Sequence, residues 1–432
     1  MCTDKTERIY ACIDLKSFYA SVECVERGLD PFKTNLVVAD PERESGTICL
    51  AITPAMKALG IKNRCRVFEI PRGVEYIMAK PRMRLYMEKS AEIYAIYLRY
   101  VSPDDIHVYS IDECFIDLTP YLKLYKKNAR ELVTLLVGEV LRDTGISAAA
   151  GIGTNLFLAK VALDVTAKHA PDLIGYLDEE IYKATVAHHR PITDIWNVGQ
   201  GIASRLERFG VYDMAGVARL PEGMLYREFG ANAEYLIDHA HGREPCTIAE
   251  IKAYTPRTTS LTNSQVLFQP YTFEEAKIIL REMVEVSTLE LIERRLATDR
   301  ISLNIGYNYT GRFDTPTYLR PKSTGGSMKL GGITNSLKRL TDSFLSIYDR
   351  TTDRAVPIRH VTIGLGDLVD DSYVTVDMFT DIESLEREHS LLSAIVDIKG
   401  RFGKNAIVKG ISFEDKATTR ARNLMVGGHN GG

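Results

Sequence analysis

Two short apolar runs that end in carboxylates constrain this chain more than any other feature: Tyr10-Ala-Cys-Ile-Asp-Leu-Lys-Ser-Phe-Tyr19 and Tyr109-Ser-Ile-Asp-Glu-Cys-Phe-Ile-Asp117. Ile9 to Leu15 reads as a buried strand, with Asp14 at its C-terminal end where a helix can begin. His107 to Ser110 and Cys114 to Leu118 read as two strands around Ile111-Asp112-Glu113, which puts both acids at the bend of a hairpin. Between Val101 and Pro120 stand five acids (Asp104, Asp105, Asp112, Glu113, Asp117) and no Lys or Arg. Carboxylates carried on apolar strands are unfavourable unless cations neutralise them. Oxygen ligands without His or Cys suit Mg²⁺, which keeps positions for water and substrate phosphates. The remaining acids read differently: Asp104 and Asp105 follow Pro103 in a solvated turn, and Asp117 reads as structural.

At 432 residues, 45% of them hydrophobic, the chain supports several domains with sizeable cores. Its net charge of −3 carries no global nucleic-acid signature, but basic residues are clustered. Arg312 to Arg339 holds six against Asp314, and Lys399 to Arg422 holds seven against Glu414 and Asp415. Such patches can hold phosphates locally. The seven Cys show no paired spacing and read as reduced thiols. No apolar stretch approaches membrane-spanning length and the N-terminus has no signal-like run, so a cytoplasmic protein without a membrane partner is expected.

Along the chain, Phe18 to Arg27 has helical patterning, and the amides of Lys16, Ser17 and Phe18 would stand at its start, where phosphates bind well. Leu36 to Asp40 and Thr47 to Ile52 read as a strand pair, followed by a helix from Thr53 with Pro54 in its first turn and Lys57 one turn in. Arg84 to Val101 and Asn128 to Asp143 read as amphipathic helices, Ile146 to Ile152 as a strand, and Asn155 to Lys168 as a further helix. This order suggests a mixed sheet backed by helices. From His169 the pattern turns to short helices. Ile195 to Leu206 fits a helix-hairpin-helix in which Gly199 and Gly201 permit a tight turn and exposed amides bind a DNA phosphate without reading sequence. Trp196 reads as a core residue. Residues 244–256 read as a polar linker. Beyond them a β-α-β-β-α-β order suggests a four-stranded sheet covered by two helices, with one strand near Thr317. Gln265 to Phe268 reads as strand, and residues 427–432 as a disordered end.

Asp14 before the Phe18-Tyr19 pair, the Ser110-Ile-Asp-Glu113 run and Asn155-Leu-Phe-Leu-Ala-Lys-Val-Ala162 together resemble the Y-family translesion DNA polymerases, particularly their UmuC-like branch. The resemblance implies a right-hand polymerase of α/β and α+β domains. Residues 1–17 and 84–168 would be the palm, 18–83 the fingers, 169–243 the thumb, 244–256 a linker, 257–368 the little finger and 369–432 a C-terminal extension. It implies two Mg²⁺ ions on Asp14, Asp112, Glu113 and the carbonyl of Leu15. It assigns nucleotide contacts to Ser17, Phe18, Tyr19, Lys57, Ser110 and Lys160, with Tyr19 as the gate against a 2′-hydroxyl. Many relatives carry Tyr where this chain has Pro54. DNA-backbone contacts fall to Gly199, Gly201, Arg257, Arg300 and Arg320, with Arg312, Lys322 and Lys329 as further candidates. The implied substrates are primer-template DNA and dNTPs, with a sliding clamp and a recombinase filament as further partners. Val374 to Phe379 is similar to a clamp-binding peptide but lacks its Gln. Alternatives are another two-metal palm enzyme, such as a nucleotidyl cyclase or a nuclease, and a catalytically silent DNA-binding accessory protein. Tyr19 with Lys160, the helix-hairpin-helix and the retained carboxylates weigh against them.

Overall fold

The computed structural model describes residues 8–41, 46–256, 259–309, 322–376 and 381–431. The chain divides between Tyr254 and Thr255 into two compact units, and the last residues, 429–431, belong to the first.

The first unit is built on β1 (Tyr10–Leu15), which is buried at nearly every position. It leads directly into α1 (Phe18–Val25). A small three-stranded sheet follows: β2 (Leu36–Val38), β3 (Ala51–Ile52) and, after the short helix α2 (Pro54–Ala58), β4 (Ile77–Ala79). β4 runs parallel to β2 and was not apparent from the sequence. Next come α3 (Met83–Tyr97), β5 (Ile106–Val108), β6 (Glu113–Asp117), α4 (Thr119–Tyr125), α5 (Ala129–Thr144) and β7 (Ala148–Gly153). The start of α5 follows from a reciprocal cap, in which the Asn128 side chain accepts the Glu131 N–H and Glu131 accepts the Asn128 N–H.

After β7 the expected long helix breaks up: α6 (Leu156–Val161) passes into a π-helical turn at Ala162–Thr166 and a 3-10 turn at Ala167–His169. β8 (Ile174–Leu177) then pairs parallel with β7, so the main sheet runs β5-β6-β1-β7-β8. The main sheet therefore extends past residue 168, where the thumb was expected to begin. Tyr10, Cys12, Phe115 and Ala149 share one face of this sheet and pack against Leu156, Ala159 and Leu163. α6 lies so close to β7 that a Cβ on Gly151 would stand 2.1 Å from the Ala159 carbonyl oxygen, and one on Gly153 2.2 Å from the Ala159 nitrogen. These glycines serve close backbone packing.

Helices α7 (Glu179–Ala184), α8 (Gln200–Glu207), α9 (Met214–Ala218), α10 (Glu222–Phe229) and α11 (Ala233–Ala240) gather around a separate apolar core that includes Leu206, Met214, Leu225 and Leu236. The expected linker holds a real helix, α12 (Ile248–Ala253), because Thr247 and Glu250 form a capping box and Ile248 is buried with the sheet core. The expected disordered end is also corrected, since the Arg84 N–H donates to the Gly431 carbonyl at 3.0 Å.

The second unit holds β9 (Leu261–Tyr271), α13 (Phe273–Glu293), β10 (Leu296–Tyr307), β11 (Ser323–Thr334), α14 (Leu337–Thr351) and β12 (Ile358–Gly366). Their antiparallel sheet has the order β11-β10-β12-β9. Leu280, Ile301, Phe344 and Ile363 meet in its core. A further helix, α15 (Ile382–Phe402), packs on α13. The strand expected near Thr317 lies outside the described residues, as do Arg257, Arg312, Arg320 and the last part of Val374 to Phe379. No helix among the described residues is long and apolar enough to cross a membrane.

Candidate active site

β1 and β6 run antiparallel with Asp14 opposite Glu113. Residues paired across neighbouring strands leave the same face of a sheet, so these carboxylates emerge side by side. Asp112 precedes β6, and its carbonyl accepts the Leu15 N–H at 2.9 Å, which ties the hairpin bend to the end of β1. The Ser110 hydroxyl donates to Asp112 Oδ1 at 2.6 Å, and the Ser90 hydroxyl donates to the Ile111 carbonyl at 2.6 Å. The bend is thus braced from both sides.

Burial, followed by the negative charges of Asp112 and Glu113, pushes the Asp14 carboxyl up to about 7. Lys160 opposes this without cancelling it. Glu113 is turned toward Lys160, whose ammonium lies 2.8 Å from Oε1 and 2.9 Å from Oε2. The Cys12 thiol also donates to Glu113 Oε1, at 3.0 Å. Burial and the Glu113 charge hold that thiol protonated, well above the usual range. Lys160 is 8% exposed and reaches Asp164 Oδ1 at 3.0 Å. Burial alone would lower its pKa, but Asp164, Cys12 and Glu113 outweigh this and raise it. The three expected ligands converge electrostatically, yet among the described residues no three His, Cys, Asp or Glu groups stand close enough to enclose a metal ion. Glu113 sits on Lys160 instead.

The Asp14 shift has a sign that can be measured. Between its ordinary 3.8 and about 7, the folded metal-free protein keeps a proton that the unfolded chain has released. Stability from this group therefore falls as pH rises through that window, and the loss is complete above about 7. Asp14→Asn removes the penalty. In chelator, the variant is expected to be more stable than wild type at pH 8, by on the order of 2–4 kcal/mol, and equal to it near pH 4. Urea unfolding at both pH values checks this, and a pH-independent difference contradicts it.

Among the residues expected to contact nucleotide, Ser17 adopts φ 49° and ψ 42°, and its hydroxyl is buried without a hydrogen-bond partner among the described residues. The Lys16 amide is not available as expected, because it donates to the Ser147 carbonyl at 2.9 Å. Phe18 is core, while Tyr19 is half-buried and stacks on Tyr86 with ring centres 4.6 Å apart. Burial and then the Asp112 charge raise the Tyr19 pKa. Tyr86 is fixed in turn by donating to Glu23 at 2.7 Å, and Arg82 reaches the same carboxylate at 2.9 and 2.8 Å. Lys57, in the last turn of α2, has its pKa pulled down by lost hydration, with Asp14 pulling the other way and Lys16 and Lys168 adding to the lowering. Pro54 simply opens α2.

The residues expected to contact DNA are less assembled. Gly199 caps α8 with φ −82°, and neither Gly199 nor Gly201 would place a Cβ within 4 Å of anything. The tight-turn reason expected for them does not hold; the left-handed residue of that turn is Asn197, at φ 65°. The first helix of the expected motif is only a 3-10 turn at Ile192–Asp194. Arg300 is paired with Asp367 at 2.7 Å and stands opposite Lys329 on β11. Gln265 is in β9, as expected, with its side chain bonded to Thr418 and Arg422.

Sequence reasoning passed over Cys12 as a contact of Glu113, Asp164, and the Glu23–Arg82–Tyr86 support behind Tyr19. Asp164 could have been found, since it lies one helical turn after Lys160.

Residues 13–164 match the model of the impB/mucB/samB family, and residues 258–378 match that of the impB/mucB/samB family C-terminal domain. The chain is 30% identical over 426 residues to the putative UV-damage repair protein UvrX of Bacillus subtilis (strain 168), spanning 97% of this chain and 96% of that protein. It is 29% identical over 438 residues to DNA polymerase IV 2 of the same organism, spanning 98% and 99%. Among solved structures, a Y-family DNA polymerase chimera of Dbh and Dpo4 matches with a TM-score of 0.60 at 18% identity, covering 84% of this chain and 99% of that one. Full-length relatives, both family models and the fold agree: the chain belongs to the impB/mucB/samB family, the Y-family translesion DNA polymerases.

Proposed function

We propose that this protein extends a primer past damaged template with low fidelity, by nucleotidyl transfer from dNTPs. The observation that carries this reading is Asp14 opposite Glu113 across β1 and β6, with Asp112 tied to the end of β1 through the Leu15 N–H, and with negative charge around Asp14 that Lys160 offsets only in part. Such charge fits a divalent cation. Asp14, Asp112, Glu113 and the Leu15 carbonyl would hold two Mg²⁺ ions, with Glu113 rotating off Lys160 to join them. Bound there, the ions supply activation of the primer 3′-hydroxyl and neutralisation of the pyrophosphate.

The chain's own residues do the positioning. Ser110 orients Asp112. Lys57, Lys160 and the start of α1 at Ser17 and Phe18 receive the triphosphate. Tyr19, braced by Tyr86, forms the wall against which a 2′-hydroxyl collides. Gly199 and Gly201 present bare backbone to a DNA phosphate, and Arg300, Arg257 and Arg320 contact the backbone from the second unit. Residues 1–17 and 84–168 together with β8 act as palm, 18–83 as fingers, the helices up to residue 243 as thumb and 257–368 as little finger. Action in the cytoplasm during the SOS response, with a sliding clamp and a recombinase filament as partners, completes the reading.

Primer extension with Mg²⁺, single dNTPs and a damaged template tests it, and absence of any synthesis overturns it. Tyr19→Ala is expected to raise ribonucleotide incorporation relative to deoxyribonucleotide by about 10- to 100-fold. An unaltered sugar preference removes the gate assignment.

A further inference from the structure

Glu113 is held by two buried side chains, Cys12 and Lys160. Its Oε1 accepts from the Cys12 thiol at 3.0 Å and lies 2.8 Å from the Lys160 ammonium, while its Oε2 accepts from Lys160 at 2.9 Å. Cys12 is 0% exposed in the middle of β1, on the sheet face that carries Asp14 and Glu113. Lys160 is anchored on its other side by Asp164 at 3.0 Å. An ammonium has three N–H donors, and these two acids occupy two of them.

We propose that Cys12 and Lys160 form a latch that keeps Glu113 in a resting rotamer, and that release of this latch is coupled to cation binding. The inference rests on the reading of Asp14, Asp112 and Glu113 as a cation site. A cation that recruits Glu113 competes with the thiol and the ammonium, so the affinity observed is reduced by the fraction of time Glu113 is free. Departure of Glu113 also frees an N–H of Lys160 toward an incoming phosphate. By linkage, phosphate binding at Lys160 loosens Glu113 and favours the cation in return. The latch thus makes the cation and nucleotide sites cooperative through two side chains already in contact.

Cys12 separates the latch from simple packing, because two substitutions of similar size have opposite expected signs. Cys12→Ala removes a weak S–H donor, whereas Cys12→Ser supplies a stronger O–H donor at the same place. Mn²⁺ alone is titrated into the full-length proteins at fixed pH, and free Mn²⁺ is followed by electron paramagnetic resonance. The dissociation constant is expected to tighten about threefold in Cys12→Ala and to weaken about threefold in Cys12→Ser. A merely structural thiol would give shifts of the same sign in both. Equal affinities, or shifts of one sign, overturn the latch. If thermal melts show that Cys12→Ser is unfolded, Cys12→Ala decides alone: an unchanged or weaker affinity overturns the proposal. Asp14→Asn is the separate control. Retention of full Mn²⁺ binding there overturns the cation-site reading itself, whatever the Cys12 variants do.

Discussion

Replacing Asp112 and Glu113 together by alanine is expected to abolish primer extension, lowering its rate by at least about a thousandfold, while primer-template binding is kept. The two acids stand at the bend beside Asp14, where they hold no apolar core together. Their removal withdraws two of the charges that push the Asp14 carboxyl up, but it also takes from the buried Lys160 one of its two carboxylate partners and leaves it Asp164, so the melting temperature is measured beside activity. Single-turnover extension and fluorescence anisotropy on labelled primer-template measure the two quantities separately. Unchanged extension excludes the site. Loss of both extension and binding, with a lowered melting temperature, would instead point to a folding defect.

The largest expected loss of stability comes from a methyl group. Gly151→Ala would put a Cβ 2.1 Å from the Ala159 oxygen and 2.2 Å from the Leu163 nitrogen, and Gly153→Ala would put one 2.2 Å from the Ala159 nitrogen. These are backbone atoms of the segment that carries Lys160, and they cannot step aside as the tip of a side chain can. Each substitution is expected to destabilise the protein by about 3 kcal/mol or more, and to displace Lys160 in whatever still folds. Gly199→Ala is the contrast. Its Cβ would meet open space at φ −82°, so its stability is expected to stay within about 0.5 kcal/mol of wild type. Urea unfolding of the three variants reads this directly, and equal effects at Gly151 and Gly199 would contradict the packing argument.

The strand of Asp14 and the hairpin of Asp112 and Glu113 were legible because their signals are local. An apolar run of strand length ending in Asp14, and a carboxylate pair between two apolar runs, need no knowledge of the rest of the chain. The helix starting at Asn128 was legible for the same reason, since its apolar periodicity lies within a few turns; the capping box that fixes its start is a finding of the structure. β4 and β8 were not. Each pairs in parallel with a distant strand, and a short strand of this kind is indistinguishable from loop until its partner is known. α12 was hidden by the polar composition around it, although Thr247 and Glu250 carried the capping signal. Trp196 was expected as plain core, but its indole N–H also reaches the Tyr109 hydroxyl at 3.1 Å, a contact between segments far apart in sequence.

By itself the amino-acid sequence determined the family, the carboxylates, the aromatic pair after them and the order of most elements, because residue type and short spacing carry all of these. Only the tertiary structure decided that Gly151 and Gly153 pack a helix onto a strand, that Tyr86 backs Tyr19, and that Glu113 rests on Lys160 and Cys12. Those facts depend on how closely separate segments approach and on where each side chain finds its counter-charge. Neither distance nor rotamer is written in the spacing of residues along a chain.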